Sequence, residues 1–244
     1  MNQNITNAAT MITHQDTVGK SHRKTSIAAG LFYILTFVSI PTLSLYAPVH
    51  ASGYLTSTAS DNGVIIGGIL EIIVALAGIA TAVILYPVLL KQNKTLAAGL
   101  VASRILEAST MFAGVAFLSA AVTLHQSNSG TEATVTSHAL VALYDRIFMV
   151  GQGFIPAIND LLLGILLFKS GLVPRSLSLI GITGAFPLIA GFIAVMFGFT
   201  DRLSSWSALS AVPVAVFEFS LGVYLVAKGF KKDIPILLKE EKSM

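Results

Sequence analysis

Leu96-Ala-Ala-Gly-Leu-Val-Ala-Ser-Arg104-Ile-Leu-Glu107-Ala-Ser-Thr-Met-Phe-Ala-Gly-Val-Ala-Phe-Leu-Ser-Ala-Ala-Val-Thr-Leu124 is apolar or small along its length except at Arg104 and Glu107. On a helix, residues three apart share a face, so the cation and the acid point the same way. A hydrocarbon core of about 30 Å takes about 20 residues of helix, and residues 108–124 are too few to cross it alone. Glu107 therefore lies inside the membrane. Residues 105–124 just suffice, so the long Arg104 side chain can still reach the headgroups. Embedded charges need a partner or a wet cavity, and what the chain does turns on what Glu107 is for.

The rest of the chain agrees with this reading. Hydrophobic residues make up 54% and charged residues 11%, with a mean hydropathy of +0.79; a soluble core this apolar would lack a polar surface. The net charge is +3. Nearly all Lys and Arg sit in short gaps between apolar runs, where they set topology, so nucleic acid is not the implied partner and the lipid bilayer is. Cysteine is absent, which excludes disulfides, thiolate metal sites, cysteine catalysis and palmitoylation.

Six apolar runs, at about 26–47, 63–90, 96–124, 138–168, 176–199 and 206–227, are each long enough to span. Only helices satisfy the backbone in lipid at these lengths. The sequence therefore predicts an all-α integral membrane protein, a bundle of six transmembrane helices over 26–228, with a disordered tail at 1–25 and a basic tail at 229–244. The run after Lys24 lacks a small-residue cleavage site and reads as a retained first helix rather than a signal peptide. Apart from Arg104, Arg146 and Arg202, the other twelve of the fifteen basic residues fall on one side of this arrangement. The positive-inside rule makes that side cytosolic, with both termini inside and the cell membrane as the location. Small residues on one face, such as Gly68, Ala75, Gly78 and Ala82 with Glu71 among them, mark faces expected to turn into the bundle.

Near the basic ends of the second and fourth runs the text reads Leu85-Tyr86-Pro87-Val88-Leu89-Leu90-Lys91 and Leu172-Val173-Pro174-Arg175-Ser176-Leu177. With Arg104-Ile-Leu-Glu107 and Lys228-Gly229-Phe230, in this order and spacing, the chain resembles a bacterial multi-pass family catalogued as domain of unknown function 4386, over roughly residues 23–231. The resemblance implies a six-helix inner-membrane protein. It carries no activity, so it supplies no catalytic or binding residue.

Seven charged residues lie within the apolar runs: Glu71, Arg104, Glu107, Asp145, Arg146, Asp160 and Glu218. Flanking residues suffice to span without Asp145 and Arg146, and nearly so without Glu71, but Glu107, Asp160 and Glu218 have no such escape. Each costs about 2.5–3.5 kcal/mol on insertion scales. Arg104 can neutralise one acid, through a bidentate fork to Glu107 or Asp160. The two remaining inner acids then carry a proton, or face water or a bound cation. Gln152, Pro156, Asp160 and Gly164 recur every four residues with Asn159 beside them, and Pro156 frees a backbone carbonyl near Gln152. Such a face suits a polar cavity; it also suits a kink held by structural hydrogen bonds.

His50, His125 and His138 all fall in gaps on the side opposite the basic one, with Glu132 near them. Three histidines near Glu132 could make an outer metal site, but they lack the close spacing of helical metal motifs, so they are weak candidates and no metal ligand is assigned. No nucleotide-binding loop, nucleophile elbow or other cofactor motif occurs. Glu107-Ala-Ser109 against Glu218-Phe-Ser220, and Pro87 against Pro187, raise an inverted repeat of three helices per half.

Three functions remain open. The first is a membrane protein that binds or passes a cation, proton or small polar or amphipathic solute through an acidic cavity formed by Arg104, Glu107, Asp160, Glu218, Asn159, Gln152 and Glu71. The second is an intramembrane enzyme acting on lipid, with Glu107 or Asp160 as general base and the outer histidines as candidate ligands of a metal. The third is a scaffold or sensor subunit in which the charges only lock helices together.

Overall fold

The computed structural model describes residues 22–127 and 130–231, together with Ile234 and Leu237. The tail expected to be disordered at 1–25 lies outside them except for its last four residues, and most of the basic tail at 229–244 lies outside them too. Among the described residues there is no strand.

Among the described residues six helices are long and apolar enough to cross a membrane, and the chain is a multi-pass membrane protein. The first span, His22–Leu45, is helical as α1 over 22–35. The next two are α2, Asn62–Leu89, and α3, Lys94–Gln126. The fourth span is two helices in sequence, α4 at Thr134–Gly153 and α5 at Ile155–Ser170. Arg175–Met196 forms α6 and Ser205–Ala227 forms α7. The Asn93 side chain starts α3 by accepting from the Leu96 N–H at 2.9 Å, a cap that satisfies one of the orphan donors of the first turn. Gly171, at φ 70°, ends α5 in the left-handed conformation that costs glycine nothing.

Two spans are broken, and each break has a local cause. The sequence reads 26–47 as one helix, whereas α1 stops at residue 35 and gives way to a 3₁₀ turn at Thr36–Ser39 and a short helix at Thr42–Leu45. The Thr36 hydroxyl donates to the Tyr33 carbonyl at 2.7 Å and the Thr42 hydroxyl to the Ser39 carbonyl at 2.7 Å. Pro41 has no N–H to continue the ladder. In the fourth span Pro156 has no N–H for the Gln152 carbonyl, and Phe154 leaves the helical region at φ −120°, ψ −51°. The Ala157 N–H turns to the Phe154 carbonyl at 3.1 Å.

Sequential helices pack side by side from α2 to α7, and α3 also packs on α5. Helix α1 closes the bundle against α7: Arg23 donates to the Leu225 and Val226 carbonyls at 3.1 and 2.7 Å, groups that the end of α7 leaves without intrahelical partners. The two helices approach closely enough at Gly30 that a β-carbon there would lie 2.6 Å from the Gly222 carbonyl oxygen. One apolar core, with Tyr33, Leu85, Leu100, Leu163 and Phe217, fills the end nearest the basic gaps, and Phe230, Ile234 and Leu237 after α7 pack into it. A second, with Tyr46, Tyr54, Leu118 and Tyr144, fills the opposite end. Arg104 and Glu107 lie on α3 between these cores, and Gly68, Glu71, Ala75, Gly78 and Ala82 are all buried, so that face of α2 does turn inward. Pro87 falls in the last turn of α2 and Pro187 in the middle of α6, so these two prolines do not occupy matching depths.

Candidate functional site

Arg104 is 4% exposed and joins two acids from two helices. One terminal nitrogen donates to Glu107 Oε2 at 2.9 Å; the other pairs with Glu218 Oε1 of α7. This corrects the sequence expectation of a fork to Glu107 or Asp160. A fork commits both nitrogens to one carboxylate, and here the guanidinium is shared between the acid one turn along α3 and an acid from a helix 114 residues away. The Asn159 amide of α5 donates to the same Glu107 oxygen at 2.7 Å. The Tyr33 ring of α1 lies against the guanidinium, 5.7 Å from its central carbon, close enough for a cation–π contact. Four helices thus meet at one cation.

A cavity of about 220 Å³ opens beside this cluster. Arg104, Glu107 and Glu218 line it together with Gln152 and Pro156 from the break in the fourth span and Thr36, Phe37, Ser39 and Ile40 from the break in the first. Both helix breaks therefore face the same space as the charges. The remaining walls are mainly small and apolar, among them Ala75, Gly78, Met111, Val214 and Ala215.

Asp160 is fully buried, and neither of its carboxyl oxygens has a hydrogen-bond partner. It does not line the cavity. Asn159 Oδ1, Arg104 Nε and the Tyr33 hydroxyl are likewise buried without hydrogen-bond partners. These four unsatisfied polar groups lie buried in an apolar core, an arrangement that costs stability unless water or a proton reaches them.

Glu71 stands apart from this cluster. It is 3% exposed, and its Oε1 accepts from the Tyr144 hydroxyl of α4 at 2.8 Å. A void of about 10 Å³ lies between Glu71, Thr110, Tyr144 and Gln152. Gln152 lines both this void and the larger cavity. Of the residues singled out in the sequence, Arg104, Glu107, Glu218 and Asn159 form one hydrogen-bonded cluster, Gln152 and Asp160 border it, and Glu71 is one side chain removed. Two tyrosines were not singled out, Tyr144, which donates to Glu71, and Tyr33, whose ring lies against Arg104; a tyrosine inside an apolar run is the signal that finds them, since a buried phenol seeks a partner.

A family model described as a domain of unknown function (DUF4386) matches residues 28–229. The chain belongs to this family. No curated protein and no solved structure matches it.

In this DUF4386 chain the histidines do not converge. His50 pairs with Asp145 at 3.1 Å, and Arg202 donates to the same Asp145 oxygen at 2.7 Å. His125 pairs with Asp61 at 2.8 Å, and Asp61 also accepts from Tyr54 at 2.5 Å and Gln126 at 3.1 Å. His138 is exposed. Among the described residues no group of three metal-ligating side chains occurs. Each paired ring has an acceptor at both nitrogens, the Tyr46 carbonyl 2.8 Å from His50 Nδ1 and the Ser57 carbonyl 2.9 Å from His125 Nε2. Two acceptors call for two N–H groups, so this geometry favours the imidazolium form of both rings. The His50 pKa is raised, first by the hydrogen bond to Asp145 and then by the Tyr46 carbonyl, against burial. For Asp61 burial pushes upward and is outweighed by the hydrogen bonds from Tyr54, His125 and Gln126, which leave its pKa below the ordinary value. Together these pairs clamp the segment between the first two spans onto α3 and α4.

Proposed function

We propose that this protein binds a small cationic, amphipathic solute in the acidic cavity beside Arg104 and passes it across the membrane. The observation that carries this reading is the meeting of two broken helices at a cavity of about 220 Å³ walled by two carboxylates that share one guanidinium. Discontinuous helices at mid-membrane depth are a recurrent way of building solute sites in transporters.

The sign of the solute follows from the balance of charge. Each terminal nitrogen of Arg104 gives one N–H to a carboxylate, so one guanidinium faces two acids and the three groups carry a net negative charge when both acids are ionised. The Thr36 and Ser39 hydroxyls donate to the Tyr33 and Thr36 carbonyls and turn only lone pairs toward the cavity. An ammonium group meets two glutamates and two hydroxyl oxygens, and its apolar body meets Phe37, Val74, Met111 and Leu188. We assign the pathway to Arg104, Glu107, Glu218, Gln152, Asn159 and Asp160, with Glu71 beside it, and the basic face with both termini to the cytosol of a cell membrane.

The test uses phenethylammonium as the probe, with uptake measured in liposomes containing the full chain. Uptake is expected in the wild type and not in the folded Glu107→Gln, Asp160→Asn double variant. Equal uptake in both would remove the pathway and leave the cluster as a clamp between helices.

A further inference from the structure

Glu71 is the one buried acid that the cavity reading leaves unused. It lies on α2, outside the hydrogen-bonded Arg104 cluster, and among the described residues no cation pairs with it. What surrounds it is two phenols and an amide: the Tyr144 hydroxyl donates to it at 2.8 Å, Tyr46, whose hydroxyl is buried without a hydrogen-bond partner, packs against Tyr144, and Gln152 lies across the small void.

That void, about 10 Å³, is close to the room one water needs. Its walls are polar enough to hold one, with the Glu71 carboxyl, the Thr110 and Tyr144 hydroxyls and Gln152 all present. Gln152 Nε2 is buried without a hydrogen-bond partner, a donor left open on the polar side chain that, with Met111, lines both the void and the cavity. In the other direction the Tyr144 ring packs edge-on against Tyr46 at 5.4 Å and lies 6.2 Å from the His50 ring. His50 and Asp145, the residue after Tyr144, are 30% and 32% exposed at their side chains. A single tyrosine thus stands between a sealed carboxyl and an ion pair open to solvent.

We propose that Glu71 is a proton site, reached from the face that carries His50 and coupled through Gln152 to the cavity. A hydronium ion from the outer water gives its proton to the Glu71 carboxylate through the void water and is left as water, while the Tyr144 hydroxyl keeps its own proton and its hydrogen bond to the acid; release runs the same steps backward. When a cation enters the cavity, the void water and the Gln152 amide reorient, and Glu71 loses its proton to the outer water. The coupling rests on the cavity reading; the proton site itself does not.

The experiment is infrared difference spectroscopy of the full chain in liposomes, with external pH stepped between about 5 and 8, the range in which a functional acid exchanges its proton. A carboxyl C=O band that changes with pH is expected in the wild type. It should be absent in Glu71→Gln and shifted in Tyr144→Phe, which folds with the same ring but no hydroxyl to donate. A wild-type spectrum whose pH-dependent band survives Glu71→Gln, or that has no such band, overturns the proton site. With phenethylammonium added, the midpoint should move to lower pH in the wild type and not in Gln152→Leu; a probe that binds without moving it overturns the coupling. If the probe does not bind at all, the cavity reading and the coupling fall together, and the titration of Glu71 is still read without it.

Discussion

Arg104 and Glu218 are 114 residues apart in the chain and form an ion pair inside the bundle. The contact ties α3 to α7, and through Asn159 and Tyr33 the same guanidinium reaches α5 and α1. Replacing Arg104 by Ala leaves Glu107 and Glu218 facing each other with no cation. Breaking a buried pair from one side costs about 3–5 kcal/mol, and Arg104→Ala should lose about that much on reversible unfolding in mixed micelles. Adding Glu107→Gln and Glu218→Gln to Arg104→Ala should recover part of it, because two uncompensated charges are then gone.

The break in the fourth span is set by one residue. With Pro156→Ala the Gln152 carbonyl regains its backbone donor, and α4 and α5 can join into one helix. Stability is expected to hold or rise, while the affinity for phenethylammonium falls about tenfold, equivalent to about 1.4 kcal/mol, because the cavity wall formed by Gln152 and Pro156 is re-aimed. Melting curves and equilibrium binding on the same sample separate the two effects.

The clamp formed by His50 and Asp61 is pH-dependent at both ends. The folded-state pKa of His50 is raised, so its contribution is complete below the unfolded value of about 6.5 and disappears as pH rises through the folded value. The pKa of Asp61 is lowered, so its contribution is complete above the unfolded value of about 3.9 and disappears as pH falls through the folded value. Stability should therefore peak at mildly acidic pH. A change of about 1 kcal/mol corresponds to about 2–4 °C in a chain of this size. The melting temperature should drop by that order between about pH 6 and 8.5, and His50→Gln should flatten the drop.

The spans were legible because length and hydropathy alone decide them: a run such as 63–90 has no soluble alternative. The inward face of α2 was legible too, through Gly68, Ala75, Gly78 and Ala82, since small residues recur where helices touch in lipid. Glu218 as the partner of Arg104 was not, because nothing local in α7 records which helix it faces. The unwinding at Thr36–Ser39 left a signal in Thr36, Ser39 and Pro41, hydroxyls that return to the backbone followed by a missing N–H, yet the stretch is apolar enough to read as unbroken helix. Tyr144 was hidden for a related reason: a tyrosine in a hydrophobic run counts as apolar until the acid it solvates, 73 residues earlier, is placed beside it.

The most direct test of the acidic cavity is equilibrium binding of phenethylammonium to the purified full chain, compared between wild type and Glu218→Gln, with melting curves to show that both are folded. Glu218 lines the cavity and has the more exposed of the two carboxylates held by Arg104, 14% against 10%. Saturable binding to the wild type, weakened at least about tenfold in Glu218→Gln, is the expected result. Equal binding in the two proteins, or binding of phenylacetate in preference to phenethylammonium, would contradict a cation site built from these acids.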